Sequence, residues 1–332
     1  MLQRVPLVSV VVPCWNSAPW LAAAIGSVLR QTLGELEVIL VDDGSSDATP
    51  RLARELAAAD ARVRLVLRPD NRGSARTRNE GLALARGPWI AVFDADDRME
   101  PDRLARLVRT AETVGADWLA DDQWIEVEGG ERARARLLFD EPAGPRPLAL
   151  ADFLDRDPPE TIGYGTLKPL VRRAFLERHG IRWRPEAGRS EDFLFAVECM
   201  EAGAASWLLP EPLYRYRLRP GSQVTRLDPL ATLDHMLHVQ ALAERALAAH
   251  RDPAVAAALA RRRARIEAAR LYRRTLDAVR RGALVEVGRA LRERPRLSGL
   301  LARGLAEALA RRLRGTDVPT LANRPLFRDL AG

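Results

Sequence analysis

Short, mostly apolar runs alternate with segments of helical period along the first hundred residues. That alternation restricts the fold more than any other feature of the chain. Apolar runs of strand length lie at Leu7–Val12, Leu36–Val41, Val63–Leu67 and Trp89–Phe93. Between them Trp20–Leu29, Thr49–Ala59 and Ala75–Ala85 carry apolar residues at helical spacing, with Asp47 placed to cap the second helix and Gly87-Pro88 to stop the third. Strands with so little polar alternation must be covered on both faces, which requires a parallel sheet with helices above and below. The expected fold class is therefore α/β, a Rossmann-like, doubly wound, mostly parallel sheet.

The periodicity extends the pattern downstream. It predicts helices from Pro101-Asp102 to about Thr113, over Arg172–Gly180 and over Glu191–Ala202, with strands at Asp117–Val127 and Trp207–Tyr216. Gly129–Pro147, rich in Gly, Pro and Arg, reads as an irregular excursion. Pro229–Leu313 is Ala-, Leu- and Arg-rich and divides into several helices at Pro253, Pro295 and the glycines. Two domains are expected, 1–225 and a basic, mostly helical region 226–332.

In open α/β sheets ligands bind beyond the carboxyl ends of the strands, and each early strand ends there in polar residues. Pro13-Cys14-Trp15-Asn16 follows the first and Asp42-Asp43-Gly44-Ser45-Ser46-Asp47 the second. Asn71-Arg72-Gly73-Ser74 follows the third and opens a helix carrying Arg76, Arg78 and Asn79. The fourth ends in Asp94-Ala95-Asp96-Asp97. Carboxylates crowded on one edge repel unless a cation lies among them, and oxygen-only ligation suits Mg²⁺ or Mn²⁺ shared with phosphates. The alternative is an acidic turn ahead of a helix. Asp43 can accept a hydrogen bond from the imide N–H of uracil, or serve as a turn residue before Gly44. Glu191-Asp192 is a second carboxylate pair, suited to general-base work or simply to the acidic first turn of a helix.

Taken as a set, in order and spacing, these segments resemble the family 2 glycosyltransferases with the GT-A fold, over roughly residues 5–220. Leu167–Arg173 and Tyr214–Arg217 with Pro220-Gly221-Ser222 resemble the bacterial polysaccharide-assembly branch, including succinoglycan-type enzymes. The resemblance implies an inverting, metal-dependent transfer of a sugar from a UDP-sugar or similar donor to an acceptor hydroxyl. It places Asp192 as the base with Glu191 nearby, and Asp43 as the base-reading residue. Pro13, Trp15, Asn16, Arg78 and Asp94 then lie around the nucleotide sugar, and Asp96 with Asp94 at the Mn²⁺ or Mg²⁺. The acceptor implied is a glycan or a lipid-linked polysaccharide precursor. Two other readings are a sugar-phosphate nucleotidyltransferase, which usually has a glycine-rich basic N-terminal loop not seen around Pro13–Asn16, and a non-catalytic nucleotide-sugar-binding scaffold.

The net charge of +7 is uneven. Residues 231–332 hold 21 arginines against 10 acidic residues, a balance of +11 that leaves −4 for residues 1–230. Every basic residue except Lys168 is arginine. A basic region favours anionic membrane surfaces or nucleic acid, but no aromatic platform or known motif supports nucleic acid. The remaining readings are a solvated helix face and peripheral contact with an anionic membrane. The two cysteines, Cys14 and Cys199, form no disulfide framework. The first strand begins at Leu7 with no secretory pattern ahead of it, and no apolar run has bilayer length. A cytoplasmic protein is expected, soluble or peripheral on the inner face of the membrane.

Overall fold

The computed structural model describes residues 5–127, 144–157, 163–218, 228–294 and 298–299. The chain divides into two compact units. The first comprises residues 1–150 and 165–225, the second residues 151–164 and 226–332.

In chain order the elements are β1 (Val8–Cys14), α1 (Ala18–Leu29), β2 (Leu36–Asp42), α2 (Thr49–Ala59), β3 (Val63–Leu67), α3 (Ser74–Leu84), β4 (Trp89–Val92) and β5 (Arg98–Met99). There follow α4 (Arg103–Val114), β6 (Trp118–Val127), β7 (Arg146–Pro147), α5 (Leu150–Asp155), β8 (Leu170–Arg172), α6 (Arg173–His179), α7 (Glu191–Glu201) and β9 (Ser206–Leu218). The second unit adds α8 (Pro229–Ala246), α9 (Pro253–Arg280) and α10 (Leu284–Glu293). The strand expected at Trp207–Tyr216 runs on unbroken past Pro210 and Pro212, because β-bulge shifts opposite Asp121 and Asp122 absorb the two prolines. Asp47 sits one residue further from α2 than a cap residue should, yet its Oδ1 accepts the Thr49 N–H at 2.9 Å. Of the irregular excursion, residues 128–143 lie outside the described residues, as does the helical expectation beyond Arg294 apart from 298–299.

Among the described residues one sheet runs in the order β3-β2-β1-β4-β8-β6-β9-β5, with β7 paired to β9. The β3-β2-β1-β4 half is wholly parallel. Beyond it β8 is antiparallel to both β4 and β6, while β6 and β9 pair in parallel over a long register, so most of the paired length is parallel. Every residue of β2 and β4 is buried, including Glu37 and Asp42 of the otherwise apolar β2. The core of this unit is continuous, joining Val10, Val12, Val38, Leu40 and Ala91 of the sheet to Leu21, Ile25 and Val28 of α1 and to Leu104 and Leu107 of α4. Each large apolar side chain among them contributes about 1.5–3 kcal/mol by burial. On α3, Gly81 permits the close approach that sets the site: a Cβ there would lie 2.5 Å from Val11 Cγ1. This brings the Arg78 turn of α3 down onto β1.

The second unit is helical. Asp228-Pro229 and Asp252-Pro253 start α8 and α9, each aspartate capping with its side chain and each proline filling the first helical position. Leu233, Ile266, Ala268, Ala269 and Ala290 form its core. Arg262 is buried and donates to Gln240 Oε1 and Asp157 Oδ2, both at 2.7 Å. Most of the other arginines on α9 meet acids of the same unit: Arg261 and Arg265 with Asp155, Arg263 with Glu244, Arg270 with Asp234. No helix among the described residues is long and apolar enough to cross a membrane.

Candidate active site

Parallel register aligns the strand ends. Val11 is level with Val92, the last residue of β4, and Cys14 is level with Asp42. The loops after β1, β2, β3 and β4 therefore open on one edge, as the sequence predicts.

The loops after β1, β2 and β3 are held by short-range hydrogen bonds. Gly44 adopts φ +68°, and a Cβ on it would lie 2.6 Å from the Asp70 carbonyl carbon, so the second loop presses directly on the third. That approach brings Asp43, which is buried, to the backbone N–H groups of Arg72 (3.0 Å) and Gly73 (2.8 Å). Asp42 forms the turn itself: its Oδ1 accepts the Ser45 hydroxyl at 2.5 Å and its Oδ2 the Ser45 N–H at 3.3 Å. Asn16, with φ +48°, donates its N–H to Ser45 Oγ at 2.9 Å and accepts the Ser46 N–H at 2.9 Å. Pro13 is partly buried, whereas the Trp15 ring is 47% exposed, a large apolar surface beside polar loops.

The end of β4 is built from charge. Arg78 is only 5% exposed. Its guanidinium meets Asp94 Oδ1 at 2.6 Å, Asp192 Oδ2 at 3.6 Å and Glu191 Oε1 in a tight ion pair. Lys168, also 5% exposed, meets Asp94 Oδ2 at 2.7 Å and Asp192 Oδ2 at 2.5 Å. Three carboxylates and two cations thus converge in a largely buried cluster. Burial opposes the charged form of Asp94, but Lys168 and Arg78 outweigh it and hold the carboxyl well below the usual range. Burial likewise opposes the Lys168 charge, and Asp192 and Asp94 outweigh it and keep the ammonium protonated. Glu191 goes the other way: burial and the neighbouring Asp192 raise it more than Arg78 lowers it.

Asp96 is half-buried on the same turn, and its carbonyl accepts from Arg217 Nε at 2.9 Å. Asp97 is buried, its Oδ2 accepting the Tyr214 hydroxyl at 2.5 Å and its Oδ1 the Arg217 N–H at 2.7 Å. Tyr214 Oη in turn accepts the Asp94 N–H at 3.3 Å, so β9 braces the acidic turn. Among the described residues no three His, Cys, Asp or Glu side chains form a metal cage. The donors at hand are hard carboxylate oxygens, the chemistry of an ion bound by one or two carboxylates and completed by phosphate.

Of the residues singled out from the sequence, Asp94, Arg78, Glu191 and Asp192 are brought together by the fold, Pro13 lies at the end of β1, and Trp15, Asn16 and Asp43 are set on the loops after β1 and β2. Sequence reasoning missed Lys168, Trp183 and Arg103. Trp183 Nε1 donates to Asp192 Oδ1 at 3.0 Å. The signal available for Lys168 was that it is the one lysine in an arginine-rich chain; nothing local marked the other two.

Comparison with known proteins adds to this picture. The model of "Glycosyl transferase family 2" matches residues 9–177. The succinoglycan biosynthesis protein ExoO of Rhizobium meliloti is 35% identical over 232 residues, 68% of this chain and 66% of that protein. ExoU of the same organism is 33% identical over 202 residues, 59% of this chain and 58% of ExoU. The chain thus spans less than two thirds of the length of both. The glycosyltransferase GlyG of Streptococcus pneumoniae is 33% identical over 233 residues, 65% of this chain and 72% of GlyG. Among solved structures, S. aureus TarS 1–349 in complex with UDP-GlcNAc has a TM-score of 0.60 at 20% identity, covering 78% of this chain and 71% of that one. The mannosyltransferase PcManGT of Pyrobaculum calidifontis, in complex with GDP-Man and Mn²⁺, has a TM-score of 0.59 at 20% identity over 92% of this chain and 81% of its own. At such identity the structural likeness is one of fold.

Proposed function

The chain belongs to glycosyl transferase family 2, and from that premise we propose that it moves a sugar, with inversion, from a UDP-linked or similar nucleotide donor to an acceptor hydroxyl. One observation carries the reading: Asp94 at the strand end and Asp192 on α7 meet the same two buried cations, Lys168 and Arg78. A donor-side carboxylate and a candidate base are thereby held in one compact cluster at the edge where ligands bind.

The residues divide the work. Trp15 offers an exposed ring to a nucleobase, and Pro13 and Asn16 shape the loop beside it. Asp43 already accepts two backbone N–H groups; a carboxylate has about four lone-pair sites, which leaves capacity for the imide N–H of uracil. Asp94 faces the ribose and sugar end of the donor, and Arg78 the diphosphate. Asp96, with Asp94, would hold Mn²⁺ or Mg²⁺, which when bound supplies charge to offset the leaving diphosphate. Asp192 takes the proton of the acceptor hydroxyl as that oxygen bonds to the anomeric carbon from the face opposite the diphosphate. The sugar–phosphate bond breaks and the nucleoside diphosphate leaves, without a covalent enzyme intermediate. Glu191 pairs with Arg78 and keeps its charge balanced.

The names of ExoO and ExoU support an acceptor in exopolysaccharide assembly, a glycan or a lipid-linked precursor. The second unit fits peripheral contact with an anionic membrane: Leu284 and Val285 on α10 are 78% and 75% exposed, close to Arg281. Flotation with anionic vesicles tests this, and loss of binding on L284D and V285D is the expected result.

A panel of nucleotide sugars with Mn²⁺, scored for release of nucleoside diphosphate, tests the activity. Release of pyrophosphate instead would favour a nucleotidyltransferase. Absence of any metal-dependent UDP binding by calorimetry would favour a scaffold.

A further inference from the structure

Lys168 lies two residues ahead of β8, and its ammonium spans the two halves of the site. Of its three N–H donors, one reaches Asp94 Oδ2 at 2.7 Å on the β4 turn and one reaches Asp192 Oδ2 at 2.5 Å on the first turn of α7. Its backbone is pinned from behind. The Lys168 carbonyl accepts from Arg103 Nη2 at 2.5 Å. Arg103 is fully buried, clamped by both oxygens of Asp121 at 2.9 and 2.7 Å, and lies 4.9 Å from the centroid of the Tyr214 ring.

The other oxygen of Asp192 has its own brace. Trp183 Nε1 donates to it, and Trp183 is locked in turn. Asn79 exchanges two hydrogen bonds with the Trp183 backbone, at 2.8 and 2.9 Å, and Phe195 stacks on the indole with centroids 4.1 Å apart. A carboxylate on the first turn of a helix otherwise has free side-chain torsions. Here each oxygen of Asp192 is fixed by a separately anchored donor, and Lys168 also fixes Asp94.

We propose that Lys168 is a positioning residue for sugar transfer: it ties the carboxylate of Asp192 to that of Asp94, so that the base keeps a fixed position relative to the donor site. The proposal rests on the reading of Asp192 as the base. A compact ammonium with three rotatable donors can sit between two carboxylates that approach from different elements, whereas a planar guanidinium fork prefers both oxygens of one. In a chain whose other basic residues are all arginine, the one exception stands where that geometry matters. Misplacing a reacting group by about 1 Å can lower a rate by about 10²-fold.

The full-length K168R and K168M variants test this, beside wild type and D192N. UDP with Mn²⁺ serves as the binding probe. For turnover, the nucleotide sugar that wild type consumes fastest in the panel is used. K168R is expected to keep its unfolding midpoint and to bind UDP–Mn²⁺ within about threefold of wild type, while kcat falls at least about tenfold. K168M, of similar length but uncharged and able to fill the space if the guanidinium does not fit, is expected to lose about a hundredfold in kcat, again with little change in UDP affinity. Wild-type kcat in either folded variant overturns the proposal, as does a loss lying wholly in UDP affinity, which would make Lys168 a diphosphate ligand. A wild type that consumes no nucleotide sugar instead sinks the glycosyltransferase reading. An active wild type with inactive D192N and fully active K168M sinks this proposal alone.

Discussion

Arginine and aspartate meet in both units of this protein, and what they do there differs. In the first unit Arg78 and Lys168 are 5% exposed and face three carboxylates from α7 and the β4 turn. In the second, Arg261 on α9 keeps 52% of its side chain exposed while it bonds Asp155. Water screens the exposed pair and leaves it worth little, about 0–1 kcal/mol. The buried cluster has given up its hydration, so each member depends on the others, and removing one leaves an uncompensated charge. The same residue types therefore build a candidate site at Arg78 and Lys168 and a solvated pair at Arg261.

Substitutions test this contrast, beginning with the greatest effect. R78M strips Asp94 and Glu191 of their shared partner. It is expected to destabilise the protein by about 3–5 kcal/mol in chemical denaturation and to abolish transfer. An effect under about 1 kcal/mol would mean the cluster is as well hydrated as the surface pairs. R262M probes the buried arginine of the second unit that bridges Gln240 and Asp157. A loss of about 2–4 kcal/mol is expected, because Asp157 is left behind with its charge but keeps some access to water. Transfer measured below the unfolding midpoint should be unchanged.

E37Q comes next and adds a pH dependence. Glu37 is buried, and although burial opposes its charge, the Ser9 hydroxyl, the Arg86 N–H and side chain, and Arg64 hold its carboxyl below the ordinary 4.5. A depressed value in the folded state adds stability that is present above the unfolded value and lost as pH falls through the folded one. E37Q should therefore cost about 1–3 kcal/mol at pH 7 and flatten the fall in stability below about pH 4.5. A wild-type acid limb in E37Q would remove Glu37 from the account. R261A is the smallest: at most about 0.5–1 kcal/mol, reduced further by salt. A loss equal to that of R78M would erase the distinction between the two units.

The parallel half of the sheet was readable because its strands are mostly apolar and its turns carry Gly, Pro and Asp at positions with a physical use. Asp94, Glu191 and Asp192 were readable for the same reason, since each sits where a strand ends or a helix begins, and Arg78 because it rides on the helix that the third loop opens. Lys168 and Trp183 were not. They lie ahead of β8 and in the irregular stretch before α7, segments without periodicity, and reach the site only through tertiary contacts with Arg103 and Asn79. The burial of Arg78 was not readable, because an arginine on an exposed-looking helix is ordinarily solvated; the close approach of Gly81 to Val11 packs that face of α3 against β1.

The account stands on Asp192 as the group that takes the acceptor proton. The direct measurement compares wild type and D192N for sugar transfer with Mn²⁺ present, at matched occupancy by UDP-sugar. The account predicts donor binding within about threefold and transfer lowered by about 10²–10⁴-fold in D192N. Transfer by D192N at the wild-type rate would contradict it.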